Sequence, residues 1–203
     1  MFIIGITGGT GTGKTAALMV LKSLGALTLN CDAIYHGLLL RDAVLTTELG
    51  TRFVGVLAGG TIDRKRLGDI VFNDPEALLD LNAITHKYVD AEVERQIAGW
   101  AASGGKAAAI DAIALIESGA FKKCDAVVGF TAPVDLRISR IMKRDGITPE
   151  QARMRINAQK PDSFYRENCD YFLENNHKSP AVFKKKCKAF FEGLLQENNA
   201  YSP

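Results

Sequence analysis

Gly8-Gly9-Thr10-Gly11-Thr12-Gly13-Lys14-Thr15 is the stretch of this chain richest in chemistry, a G-x4-G-K-[ST] string lying between apolar and helix-like sequence. Glycines at this density let the backbone wrap until successive amides point into one concavity. A following helix adds the positive end of its dipole, so the segment is a cradle for phosphate oxygens. Residues Gly9, Thr10, Gly11, Thr12, Gly13, Lys14, Thr15 and Ala16 form the expected phosphate-binding run. Lys14 is suited to reach β- and γ-phosphates as a point charge, and the Thr15 hydroxyl to ligate a Mg²⁺ ion bridging them. The implied ligand is ATP or GTP. The loop alone leaves open whether the γ-phosphoryl group goes to water or to a substrate hydroxyl.

Transfer to a hydroxyl requires a carboxylate near the γ-phosphate, and open parallel sheets present such residues at the carboxyl ends of their strands. Asp32 follows the second predicted strand and would be ionised at neutral pH, able to orient an alcohol oxygen. It is also suited to cap a helix over 33–40, and the two roles are compatible. Asp111 closes the apolar run Ala107-Ala108-Ala109-Ile110, where an acid either holds the metal through water or caps a helix. Between Arg137 and Arg166 lies the basic segment of the chain, with acids interleaved. Arg137, Arg140 and Arg144 recur at i, i+3 and i+7, hence on one helix face. Such a hairpin of helices could close as a lid, donating to γ-phosphate oxygens and excluding water; the plain alternative is a solvated charged face.

Alternating elements must position these groups. Strands are expected at Phe2 to Thr7, Ala26 to Asn30, Lys106 to Ile110, Asp125 to Thr131 and Tyr171 to Leu173, separated by helical sequence. Strands that read as continuous apolar runs favour a parallel sheet covered on both faces, an α/β fold. Asp74-Pro75, Thr148-Pro149 and Ser179-Pro180 are helix starts, a cap followed by a residue whose missing N–H costs nothing in the first turn. The helix-like sequence between the second and third strands exceeds any crossover and predicts a helical subdomain at about 33–105. The lid is expected at 137–167 and the core at 1–32, 106–136 and 168–203.

With 203 residues, 47% hydrophobic and 24% charged, the chain is long enough for one core without disulfides or a structural metal. Cys31, Cys124, Cys169 and Cys187 make no CxxC pair, which fits a reducing compartment, so the cytoplasm is the expected location. No stretch approaches the ~18 apolar residues of a membrane span, and the first residues read as a strand rather than a signal peptide. A formal charge of +2 is too slight to imply nucleic acid.

In this order the motifs resemble the dephospho-coenzyme A kinase family along nearly the whole chain. The resemblance rests on Ile4-Gly5-Ile6-Thr7-Gly8-Gly9 through Thr15, Asn30-Cys31-Asp32, Gly60-Thr61-Ile62-Asp63-Arg64 to Val71-Phe72 and Thr85-His86. It continues through Asp111 to Glu117, Arg140 to Arg144, Arg155-Ile156-Asn157-Ala158-Gln159 and Cys169-Asp170 to Asn175. It implies a P-loop NTPase-type sheet with a helical acceptor-binding insertion and a helical lid, and ATP-dependent phosphorylation of the ribose 3′-hydroxyl of dephospho-CoA with Mg²⁺. Asp32 would be the acceptor-positioning base, acting with Lys14 and Arg140. Arg144 and Asn175 would join the ATP site, Arg64, His86 and Glu117 the acceptor site, and Thr15 and Asp111 the metal. The chain departs from the pattern at Asn30 (usually an acid), Lys87 (usually proline), His177 (usually glycine) and around Ile113, where proline and phenylalanine are missing. A monomer is expected, with neither membrane nor nucleic acid as partner.

Two rival activities remain at this stage: another nucleoside or nucleotide kinase, or a nucleotide-dependent ATPase that binds nucleic acid through the basic segment. The C-terminal stretch 183–195 alternates apolar residues and lysines at helical spacing. It is read either as a terminal helix on the sheet or as a membrane- or partner-facing helix.

Overall fold

A computed structural model describes residues 1–200. Contacts divide the chain into two compact units, Met1–Leu29 with the chain from Gly99 onward, and Asn30–Ala98. The first unit opens with β1 (Phe2–Gly8), α1 (Lys14–Ser23) and β2 (Leu27–Asn30).

The second unit holds α2 (Cys31–Arg41), α3 (Ala43–Arg52), β3 (Leu57–Ala58), β4 (Thr61–Ile62), α4 (Arg64–Val71) and most of α5 (Pro75–Ala102). The small antiparallel hairpin β3–β4 interrupts what the sequence presents as continuous helix, turning at Gly59-Gly60, both with positive φ. The unit's inner face is apolar, with Leu45, Leu49 and Val56 fully buried. Asp42, Asp63 and Asp74 each accept backbone N–H groups at the start of the helix that follows.

Back in the first unit come β5 (Ala107–Asp111), β6 (Ala126–Thr131), α6 (Val134–Asp145), α7 (Pro149–Asn157), α8 (Asp162–Asn168), β7 (Tyr171–Glu174) and α9 (Pro180–Glu197). The sheet order is β2-β5-β1-β6-β7, with β1 running parallel to β5 and β6, and β6 parallel to β7. The register sets Ile6 beside Asp111 and Gly8 beside Phe130, so β1, β5 and β6 end together. A central strand flanked by neighbours reached through opposite crossovers opens a crevice at those carboxyl ends. Ile4, Ile6, Val128 and Phe130 are completely buried, which is why these strands read as unbroken apolar runs.

α9 settles the C-terminal ambiguity. Phe183, Cys187, Phe191, Leu194 and Leu195 lie in the same core cluster as Ile4, Leu21 and Phe130, so this apolar stripe packs into the core as a terminal helix on the sheet. Among the described residues no helix is long and apolar enough to cross one. Ser179 stands at the N-cap of α9 but its hydroxyl makes no capping bond, whereas Thr148 and Gln151 form the full reciprocal capping box of α7. The basic segment is three helices rather than a two-helix hairpin. α8 sits between α7 and β7 in the chain, and Tyr165, 1% exposed, anchors it in the core.

Candidate active site

The phosphate loop begins where β1 ends. Gly8 has φ +134°, and a Cβ on it would collide with the Phe130 carbonyl oxygen. Gly13, at φ +109°, caps α1, and a Cβ on it would strike the Asn175 amide and the Phe183 ring. Between them the chain bends back on itself. The Thr12 hydroxyl donates to Gly9 O at 2.8 Å, and Lys14 Nζ donates to Gly8 O at 2.6 Å and Gly9 O at 3.2 Å. The ammonium is thus already folded over the loop that it would serve.

Side chains from α6, from the residues after α7 and from the segment after β7 grip the loop from outside. Arg137 Nε donates to Thr10 O at 2.9 Å, Arg140 Nη1 to Gly11 O at 2.9 Å, and Asn175 Nδ2 to Thr12 O at 2.9 Å. Gln159 Oε1 accepts from Thr10 N at 2.8 Å and from Arg137 Nη2 at 3.1 Å. Arg140 Nη2 also donates to Asn175 Oδ1 at 3.2 Å and to the His177 carbonyl at 2.7 Å. Arg137 is only 4% exposed; burial pulls its pKa below the usual guanidinium range, opposed by Asp162 at 3.7 Å. Burial also lowers Arg140. Both remain cations at any physiological pH. Arg144 reaches Thr10 Oγ1 at 3.3 Å while paired with Asp145, which in turn binds Arg155 of α7 at 2.6 Å. The stripe foreseen on α6 is therefore turned onto the loop, and Arg137 and Arg140 are withdrawn from any solvated basic face.

Asp111 ends β5 and is 8% exposed. Thr15 is exposed on the first turn of α1, and Glu117 is exposed in the loop after β5, near enough to Tyr165 to help raise its pKa to about 12, an effect led by burial.

The remaining predicted residues belong to the second unit. Asp32 lies in the first turn of α2 but does not cap it: Asn30 does, its side-chain oxygen accepting from Ala33 N at 2.7 Å. The physical reason is position, since only a residue with extended backbone just before the first turn can reach back to those amides. The carboxylate of Asp32 is exposed. Arg64 Nη2 lies 2.8 Å from His36 Nε2, and His86 is exposed on α5.

The roles of three residues in this arrangement were not legible in the sequence. Arg137 was visible as part of the stripe, but nothing local announced its burial. Gln159 is legible only as the last letter of a motif. His36 stands four residues after Asp32, a helical spacing that shares a face, and that signal could have found it.

Comparison with known proteins agrees with this architecture. The family model described as Dephospho-CoA kinase matches residues 2–181. The chain belongs to the dephospho-CoA kinase family. A dephospho-CoA kinase of Rhizobium meliloti is 34% identical over 194 residues, 96% of this chain and 98% of its own. A solved dephospho-CoA kinase from Campylobacter jejuni superposes with a TM-score of 0.71 at 28% identity, covering 97% of this chain and 98% of that one. Shikimate kinase from Acinetobacter baumannii, at 18% identity and TM-score 0.53 with 97% and 94% coverage, shares the fold.

Each departure from the dephospho-CoA kinase pattern is accommodated. Asn30 supplies the cap of α2. Lys87 lies inside α5, where proline would remove a helical hydrogen bond, and pairs with Glu48 at 2.5 Å. Ile113 and His177 take part through backbone carbonyls, accepting from the Thr7 hydroxyl and from Arg140, so the side-chain change leaves both bonds in place.

Proposed function

We propose that this chain transfers the γ-phosphoryl group of ATP to the ribose 3′-hydroxyl of dephospho-CoA, giving CoA and ADP, the last step of CoA biosynthesis. The observation that carries the reading is a complete phosphate loop, held from outside by its own lid arginines, in a chain matched to the dephospho-CoA kinase family from residue 2 to 181. The triphosphate is bound by the loop of residues 9–16 through its free amides, and Lys14 leaves its carbonyl partners Gly8 and Gly9 to meet the β- and γ-oxygens. Asp32, exposed and spared from capping, accepts the hydrogen bond of the acceptor hydroxyl and aims its oxygen in line with the γ-phosphorus. Arg64, His86 and Glu117 are the acceptor-binding residues, and Arg140 and Arg144, both turned onto the phosphate loop, are the lid arginines that serve ATP.

The donor set suits Mg²⁺, which favours hard oxygens and is usually held by one or two carboxylates together with substrate phosphates. Thr15 and Asp111 are such donors, the latter buried at the end of β5. Bound there, the ion would neutralise charge on the phosphate oxygens.

Purified protein incubated with Mg-ATP and dephospho-CoA, with products identified by mass, tests the proposal. CoA and ADP are expected in equal amounts. A nucleoside monophosphate with a higher kcat/KM would make the named acceptor wrong.

A further inference from the structure

Three consecutive carbonyl oxygens of the phosphate loop, those of Thr10, Gly11 and Thr12, are each taken by a side chain outside it: Arg137, Arg140 and Asn175. In a planar trans peptide the C=O of one residue and the N–H of the next point in opposite directions. Holding these three oxygens outward therefore turns the amides of Gly11, Thr12 and Gly13 the other way, toward the concavity where phosphate oxygens bind. Without such ties, a loop with glycines at positions 8, 9, 11 and 13 could flip its peptide planes at little cost. The packing is close on the same side: a Cβ at Gly9 would collide with the Arg137 guanidinium, and one at Gly11 would lie 3.0 Å from the Arg137 carbonyl oxygen.

Thr10 is held at both its polar backbone atoms. Its carbonyl takes Arg137 Nε, its amide gives to Gln159 Oε1, and Gln159 and Arg137 are bonded to each other, so three groups close one ring. Arg137 comes from α6, whereas Gln159 follows α7, so the ring forms only when both lid helices sit against the loop. The hydrophobic seam of Ile138, Ile141, Ala152 and Ile156 keeps those two helices together.

We infer that Arg137 and Gln159 are positioning residues for phosphoryl transfer: they preset the peptide planes of the phosphate loop through Thr10 and thereby couple lid placement to nucleotide affinity. Neither needs to touch the nucleotide. The inference rests on the phosphoryl-transfer reading but concerns the nucleotide half of the site alone.

Gln159 carries the test, because Arg137 is buried and its removal risks the fold. Gln159→Met keeps the length of the side chain and deletes the acceptor. Gln159→Glu keeps an accepting oxygen for both donors, its charge balanced by Arg137. ADP affinity is measured by calorimetry with Mg²⁺ present, alongside melting temperature and the KM of each substrate. Gln159→Met should weaken ADP roughly tenfold, about 1.4 kcal/mol, and raise the KM of ATP similarly, while the KM of dephospho-CoA stays put. Gln159→Glu should stay within about threefold of the parent, and Arg137→Lys, which lacks the fork needed to hold two acceptors, should resemble Gln159→Met. ADP binding unchanged in Gln159→Met overturns the inference. So does an equal loss in Gln159→Glu, or a rise in KM shared by both substrates. Because the ADP titration needs no acceptor, a parent enzyme that makes no CoA but shows these ADP ratios would sink the functional reading and leave this one standing.

Discussion

Asp32→Asn separates chemistry from folding in a single substitution. The carboxylate is exposed, and the capping bond of α2 belongs to Asn30, so the fold loses little when the charge is removed. What it does lose is the attraction between an acid in the first helical turn and the positive end of the helix, about 0.3–1 kcal/mol. For a chain of this size that amounts to roughly 1–4 °C in melting temperature. Turnover should respond on another scale. Asparagine is nearly isosteric but cannot take the acceptor's proton, and loss of general-base positioning costs on the order of 10² in kcat, about 2.7 kcal/mol at the transition state. The assay is steady-state CoA formation from ATP and dephospho-CoA beside a thermal melt and an ADP titration on the same preparation. The expected pattern is a hundredfold lower kcat, intact ADP affinity and a melting temperature a few degrees lower. A kcat within about threefold of the parent would remove Asp32 from the catalytic groups. A collapse in melting temperature would show that the side chain holds structure after all.

Lys14→Ala should lower kcat/KM by on the order of 10²–10³ while leaving the melt nearly unchanged, and retention of activity would refute the loop assignment. The Glu92 carboxyl is pulled down to about 2, chiefly by hydrogen bonding from Arg95, with Gln96 and Arg41 assisting. Its folded value lies below the unfolded ~4.3, so its contribution is present above that pH and is lost as pH falls toward 2. Glu92→Gln should accordingly melt earlier than the parent at pH 7, with the gap narrowing from about pH 5 down to about pH 2; a constant gap would contradict the assignment. Burial pushes the Cys124 thiol up to about 12 and those of Cys169 and Cys187 to about 11. At pH 8 iodoacetamide should modify Cys169 and Cys187 on the order of 10² times, and Cys124 on the order of 10³ times, more slowly in the native protein than in urea, read site by site by mass spectrometry. Equal rates would mean that these thiols are open to solvent.

Local chemistry made much of the molecule readable in advance. The glycine string announced an anion cradle because glycines at that spacing, ahead of a helix, have few other uses. Strands β1, β5 and β6 were legible because burial on both faces demands an unbroken apolar run. Asp74 and Thr148 marked helix starts because capping is a matter of a few neighbouring atoms. The hairpin β3–β4, two residues on each side, was too short for any periodicity to reveal. Asn30 and Asp32 show how fine the limit is: both can cap, and a shift of two residues decided which of them did.

Residue type and order thus determined the phosphate loop, the family and the identity of the charged groups, since each depends on contacts within about a turn of the chain or on collinearity. Tertiary structure alone decided what those charges do. Arg137 and Arg140 read as solvent-facing or phosphate-facing donors, yet they bond to Thr10 and Gly11 more than 120 residues away. Asn175, at the far end of the chain, closes the same loop. Hydrogen-bond partners so distant in sequence leave no local signature, because the geometry that joins them exists only after β1, α6 and β7 have packed into one unit.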